Sequence, residues 1–171
     1  METETNKVNF YDLVKDKDGR CKLHKRKLVC LDNVYILNRE QAVEVIRAVI
    51  DLWRLTEEYV WMLSLNADGR LTGIFEVSHG HLLGTVINIR GIITRALLIN
   101  ASDIIVTHNH ISGRCVPSKM DLQVNESLKS AAILMEIPLK DNLIVSENNY
   151  YSMLKNDESI ETNSSLERKH Q

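Results

Sequence analysis

The apolar positions change their period along the chain, and each change marks an element. Up to about Asn33 no period is sustained, and residues 1–35 read as an irregular, partly basic arm. Beyond it Ala42, Val45, Ile46, Val49, Leu52 and Trp53 recur at helical spacing behind Asn38 and Gln41, which are spaced as in a capping box. This predicts an amphipathic helix ending near Leu55. YVWMLSLNADGRLTGIFEVS carries two β-rich runs around Ala67-Asp68-Gly69, where Asp-Gly supplies the positive backbone angle of a tight turn, so a hairpin follows. Asn88 can cap a helix striped by Ile89, Ile92, Ile93, Ala96 and Leu97 and ending near Asn100. DIIVTHNH is short, β-branched and apolar without alternation, as expected of a strand covered on both faces. Met120, Val124, Leu128, Ala131 and Met135 predict another helix, and PLKDNLIVSENNYYSML another hairpin.

Helices alternating with strands in this order predict a layered α/β domain. The composition agrees: 171 residues, 44% hydrophobic and 26% charged, suit one soluble core. Two segments fall outside it. The polar tail, residues 156–171, has too few apolar residues to pack and is expected to be disordered. The stretch from Lys15 to Lys27 holds Lys15, Lys17, Arg20, Lys22, Lys25, Arg26 and Lys27. It is diluted by Asp16 and Asp18 and contains no aromatic residue, so it reads as a solvated arm before it reads as a nucleic-acid contact. With a net charge of -2, no general attraction to nucleic acid is expected.

No stretch approaches the roughly 20 apolar residues that span a bilayer and no signal-like start is seen, so the expectation is a cytoplasmic protein without a membrane partner. Cys21, Cys30 and Cys115 are odd in number and form no CxxC pair, against both a disulfide framework and a cysteine-rich zinc knuckle. Periodicity carries no signal for or against a homodimer.

The chemistry concentrates between Thr107 and Asp121. Residues two apart on a strand point the same way, so His108 and His110 present both imidazoles on one side at a strand's carboxyl end, where ligand sites of open α/β sheets gather. Gly113 permits a reversal, after which Asp121 can return a carboxylate. Two nitrogens and one oxygen with a position left open is the ligand set of a catalytic metal site. A simpler reading competes for part of it: Ser118 and Asp121 form a capping box that requires no metal. Capping leaves the paired histidines unexplained, since imidazoles beside a core need partners. The letters HNH themselves carry no nuclease signature, because that motif is dispersed over a longer stretch. For a base, Glu76 on the second strand of the first hairpin is the candidate, set among Ile74, Phe75 and Val77. His79 and His81 have no carboxylate following at ligand spacing and read as surface residues.

HNHISGRCVPSKMD, with Glu76 upstream, resembles the signature of RadC-type proteins of the JAB/MPN (JAMM) metalloprotease superfamily: Glu, then His-x-His, seven residues, Ser, two residues, Asp. The similarity runs from about Asn38 to Leu154, within a domain placed at residues 36–155. It implies a three-layer α/β/α sandwich with a mixed central sheet, of the cytidine-deaminase-like kind. It also implies one zinc per chain on His108, His110 and Asp121, with Glu76 as general base and Ser118 at the oxyanion. The implied activity is a metallohydrolase acting on a peptide or an isopeptide-linked protein. The alternatives are a catalytically silent interaction module and a DNA-associated protein of repair or mobile-element biology. Ile111 stands where the family usually has Pro, Arg114-Cys115-Val116 replaces a polar loop, and Asn142 replaces a His. No helix-hairpin-helix pattern, used by longer members for DNA contacts, is seen upstream.

Overall fold

In the computed structural model, residues 6–31, 34–80 and 87–154 are described. Their strands are β1 (Lys7–Lys15), β2 (Cys21–Cys30), β3 (Glu58–Leu65), β4 (Leu71–Gly80), β5 (Asp103–His108), β6 (Leu139–Val145) and β7 (Tyr150–Ser152). The helices are α1 (Arg39–Val49), α2 (Ile89–Ile99) and α3 (Lys119–Leu134). One seven-stranded sheet has the order β2-β1-β4-β3-β5-β6-β7. It is mixed: β1 with β4 and β5 with β6 are parallel, and the other neighbours are antiparallel.

Alternation along the central strands sends side chains into two cores. On one face Val43 and Ile46 of α1 pack with Leu63, Ile74, Ile105 and Leu143. On the other, Ile92 and Ala96 of α2 and Leu128 and Ala132 of α3 pack with Val60, Met62, Phe75 and Val106. The fold is therefore the three-layer α/β/α sandwich expected. β5 lies between β3 and β6 and carries its five buried residues from Ile104 to His108.

Local signals act where they were expected. Asn38 accepts the Gln41 N–H at α1, Asn88 the Gly91 N–H at α2, and Asn100 ends α2 in the left-handed conformation. Gly69 closes the β3–β4 hairpin at φ 80°, with the Leu37 side chain 2.9 Å from where a Cβ would lie. Among the described residues no helix is long and apolar enough to cross a membrane.

Three expectations are corrected. Residues 7–30 are not irregular: β1 and β2 form an antiparallel hairpin that extends the sheet. Val8 and Phe10 enter the core, and Tyr11 stacks on Phe75 with ring centroids 5.4 Å apart. The strand pattern was hidden because β2 is an edge strand, almost wholly exposed and therefore free to be polar, and its lysines discourage edge-to-edge pairing. The helix expected to end near Leu55 ends at Val49, and a 3₁₀ turn over Leu52–Arg54 keeps Leu52 buried in phase with it. On α3 the buried residues are Asn125, Leu128 and Ala132, whereas Met120 is 63% exposed; a buried polar residue shifted the apparent stripe. The polar tail, His81 and the Trp53 side chain lie outside the described residues.

Candidate metal centre

β5 is pinned between two strands, so its last residue is placed by the sheet. His108 is paired with Val60 of β3 and Ile144 of β6 and is only 3% exposed. It shares the face of Ile104 and Val106, the face covered by α3. The chain leaves the sheet at Asn109, whose side chain accepts the Tyr59 N–H at 2.8 Å and donates to the Glu57 carbonyl at 3.0 Å. These two bonds tie the strand end to β3 and set the ring of His110 beside that of His108. Asp121 arrives from α3, whose start is fixed by a reciprocal capping box. Ser118 Oγ accepts the Asp121 N–H at 3.2 Å, and the Ser118 N–H donates to Asp121 Oδ2 at 2.7 Å. Capping thus leaves Asp121 available as a ligand, because the cap presents it to the two rings.

The three ligand atoms form a triangle. His108 Nε2 lies 3.2 Å from His110 Nε2 and 3.5 Å from Asp121 Oδ1, and His110 Nε2 lies 3.3 Å from Asp121 Oδ2. Tetrahedral ligands about 2.0–2.1 Å from zinc stand roughly 3.3 Å apart, so the triangle has the size a first-row ion requires. Among the described residues this is the one group of three or more His, Cys, Asp or Glu compact enough to hold a metal.

Protonation suits the same purpose. Burial pushes the His108 pKa down to about 4, against the pull of Asp121 and with the help of His110, so the ring is neutral near pH 7. His110 is raised, chiefly by its hydrogen bond to Asp121, and its Nδ1 faces the Arg114 carbonyl at 3.0 Å. A proton on that Nδ1 leaves Nε2 as the ligand atom, the second-shell arrangement common to metal-bound imidazoles. Burial opposes ionisation of Asp121, but hydrogen bonds from His110 and Ser118 outweigh it and hold the carboxyl well below its usual range.

The remaining sequence candidate is not with them. Glu76 is paired with Trp61, a residue of the α1-side core, and its carboxylate is bonded to Arg26 at 3.2 Å. Arg26 lies over the Phe10 and Trp61 rings, which places Glu76 on the sheet face opposite His108. A carboxylate on the His108 side of the sheet is Glu58, the first residue of β3. It shares the face of Val60, and Val60 is paired with His108, the last residue of β5. Its charge contributes to holding the His110 pKa up. The sequence carries no local signal for Glu58, because its face follows from the long-range pairing of β3 with β5. Cys115 is half-buried with its thiol 3.4 Å from the Asn149 carbonyl, while Cys21 and Cys30 sit at opposite ends of β2, so neither joins a ligand set.

Residues 36–159 match the model of a family described as RadC-like JAB domain. Among curated proteins, the chain is 30% identical over 125 residues to a UPF0758 protein of Flavobacterium johnsoniae, covering 73% of this chain and 53% of that protein. It is 35% identical over 103 residues to one from Chlorobium phaeovibrioides (60% and 46%). A Clostridium botulinum relative is 37% identical over 103 residues (60% and 45%). The chain spans about half the length of the curated relatives it matches.

Proposed function

From the premise that this chain belongs to the RadC-like JAB domain family, we propose that it is a zinc-dependent metallohydrolase that cleaves an amide or isopeptide bond in a polypeptide. The observation that carries the reading is the His108–His110–Asp121 triangle, with separations of 3.2, 3.3 and 3.5 Å and a neutral ring on its most buried member. Two imidazoles and one carboxylate leave a fourth position for water, as in hydrolytic zinc sites. Zinc, when bound, supplies acidification of water and polarisation of the scissile carbonyl.

The chain's own residues do the rest. Glu58, on the face of the triangle, takes the proton of the attacking water and returns it to the departing amine. Ser118 Oγ accepts the Asp121 N–H, which leaves its hydroxyl proton to be donated toward the oxyanion. The Arg114 carbonyl and the capping box hold His110 and Asp121 in place, so no reorganisation is needed at the moment of reaction.

The assignment of the base is tested with zinc-loaded protein and isopeptide-linked model peptides. Glu58→Gln loses about 10²–10⁴-fold in hydrolysis with its zinc retained, and Glu76→Gln stays within a few-fold of wild type. The opposite order returns the role to Glu76. A wild type that holds zinc but hydrolyses none of a broad peptide set is instead a metal-stabilised interaction module. Of the basic residues between 15 and 27, Lys22, Lys25, Arg26 and Lys27 lie on the edge strand β2, where lysines also discourage edge-to-edge pairing.

A further inference from the structure

The metal centre has a half-finished feature beneath it. If His108 offers Nε2 to a metal, its neutral ring carries the remaining proton on Nδ1, as a donor. That nitrogen is buried and has no hydrogen-bond partner among the described residues. A second buried orphan lies on the neighbouring strand: the side-chain oxygen of Asn142, a residue with no exposed surface. One is a donor and the other an acceptor.

Their placement relates them. Asn142 of β6 is paired with Val106 of β5, and His108 with Ile144, so the two side chains leave adjacent parallel strands on the same face, one diagonal step apart. α3 covers both. It brings Asp121 over His108, and one turn later it brings Asn125, whose Oδ1 accepts from Asn142 Nδ2 at 3.0 Å. The Asn125 contact directs the Asn142 amide nitrogen toward the helix and leaves the oxygen as the end still to be satisfied. Leaving both orphans unpaired is the costlier state in a dry interior, so an arrangement of ring and amide that joins them is favoured.

We propose that Asn142, anchored by Asn125, is a positioning residue that accepts the His108 Nδ1–H, and so fixes the ring in the tautomer and orientation that present Nε2 to the metal. Ligating histidines commonly require such an outer partner, whose loss weakens metal binding about 10–100-fold. The inference rests on the zinc reading above for its purpose, but not for its test.

Wild type, Asn142→Leu and Asn142→Asp are compared by zinc competition against a chelator of known affinity and by imidazole ¹⁵N NMR of His108 in the zinc-free protein. Asn142→Leu keeps the volume and removes the acceptor; Asn142→Asp keeps the acceptor, and Asn125 can turn its own amide toward the new carboxylate. The expected result is Nδ1–H as the single tautomer in wild type and Asn142→Asp, with mixed tautomers in Asn142→Leu. Zinc binding is then about 10–100-fold weaker in Asn142→Leu and close to wild type in Asn142→Asp. An unchanged tautomer in Asn142→Leu overturns the proposal, as does equal weakening in both variants, which is what a purely structural residue would give. If Asn142→Leu does not fold, Asn125→Ala takes its place, with the same tautomer mixing expected. A wild type that binds no zinc sinks the metal reading, and the zinc-free tautomer comparison still decides this one.

Discussion

At the scale of single residues the centre is governed by where protons sit. His110 is raised by its bond to Asp121, so in the metal-free chain a metal must displace a proton from it. Zinc affinity should therefore climb with pH, approaching about tenfold per unit while His110 has a proton to lose, and level off above its pKa. Competition titrations between pH 6 and 8 check this, and a flat profile would contradict it. His108 makes a separate prediction for stability. Its folded pKa of about 4 lies below the unfolded value of 6.5, so between those limits the unfolded chain binds the extra proton and stability falls as pH falls. Asp121, also depressed, extends the loss to lower pH. His110, being raised, opposes both: its contribution is fully present below pH 6.5 and is lost as pH rises through its folded pKa. Denaturant melts of metal-free protein should lose up to about 3 kcal/mol from His108 between pH 7 and 4, and His108→Gln should remove most of that slope.

At the scale of elements, the decisive feature is the register of β3 against its two neighbours. His108, His110, Ser118 and Asp121 were legible in the sequence because their relation is local: a strand alternation, a reversal at Gly113 and a capping box. Which of Glu76 and Glu58 lies on the His108 side was not legible, because long-range pairing sets the face of each. Pairing with Trp61 puts Glu76 on the α1 side, where it joins Arg26. Glu76 consequently has a structural task, that of tying the N-terminal hairpin to β4 through Arg26. Since Arg26 is 43% exposed on its side chain, Arg26→Ala should cost no more than about 1 kcal/mol in a denaturant melt and leave zinc content unchanged. A loss of zinc in that variant would mean that the hairpin supports the centre. Gly69→Ala is a harsher change, since a Cβ there meets Leu37 at φ 80°; it should destabilise by about 1–2 kcal/mol, again with zinc retained.

At the scale of the whole molecule, the sheet serves as a frame that buries one side of the centre and leaves the other open. The three layers were readable from the succession of periodic segments, because a stripe on each helix has to meet a strand face. Two things were not. β2 is an edge strand whose polar surface carries no alternation, and the buried face of α3 is built around Asn125, which a hydrophobic pattern counts as outward. Both failures have one cause: at an edge and beneath the candidate metal centre, polar residues occupy positions that elsewhere would be apolar. The family match begins at residue 36, and β4 and β3 stand between the β1–β2 hairpin and β5. The arrangement of His108, His110 and Asp121 is one that could hold a metal ion. Zinc content measured on protein purified without added metal, beside His108→Ala and Asp121→Ala, tests the account most directly. About one equivalent in wild type and almost none in either variant is the predicted result. Less than about a tenth of an equivalent in wild type, unchanged by the substitutions, would contradict it.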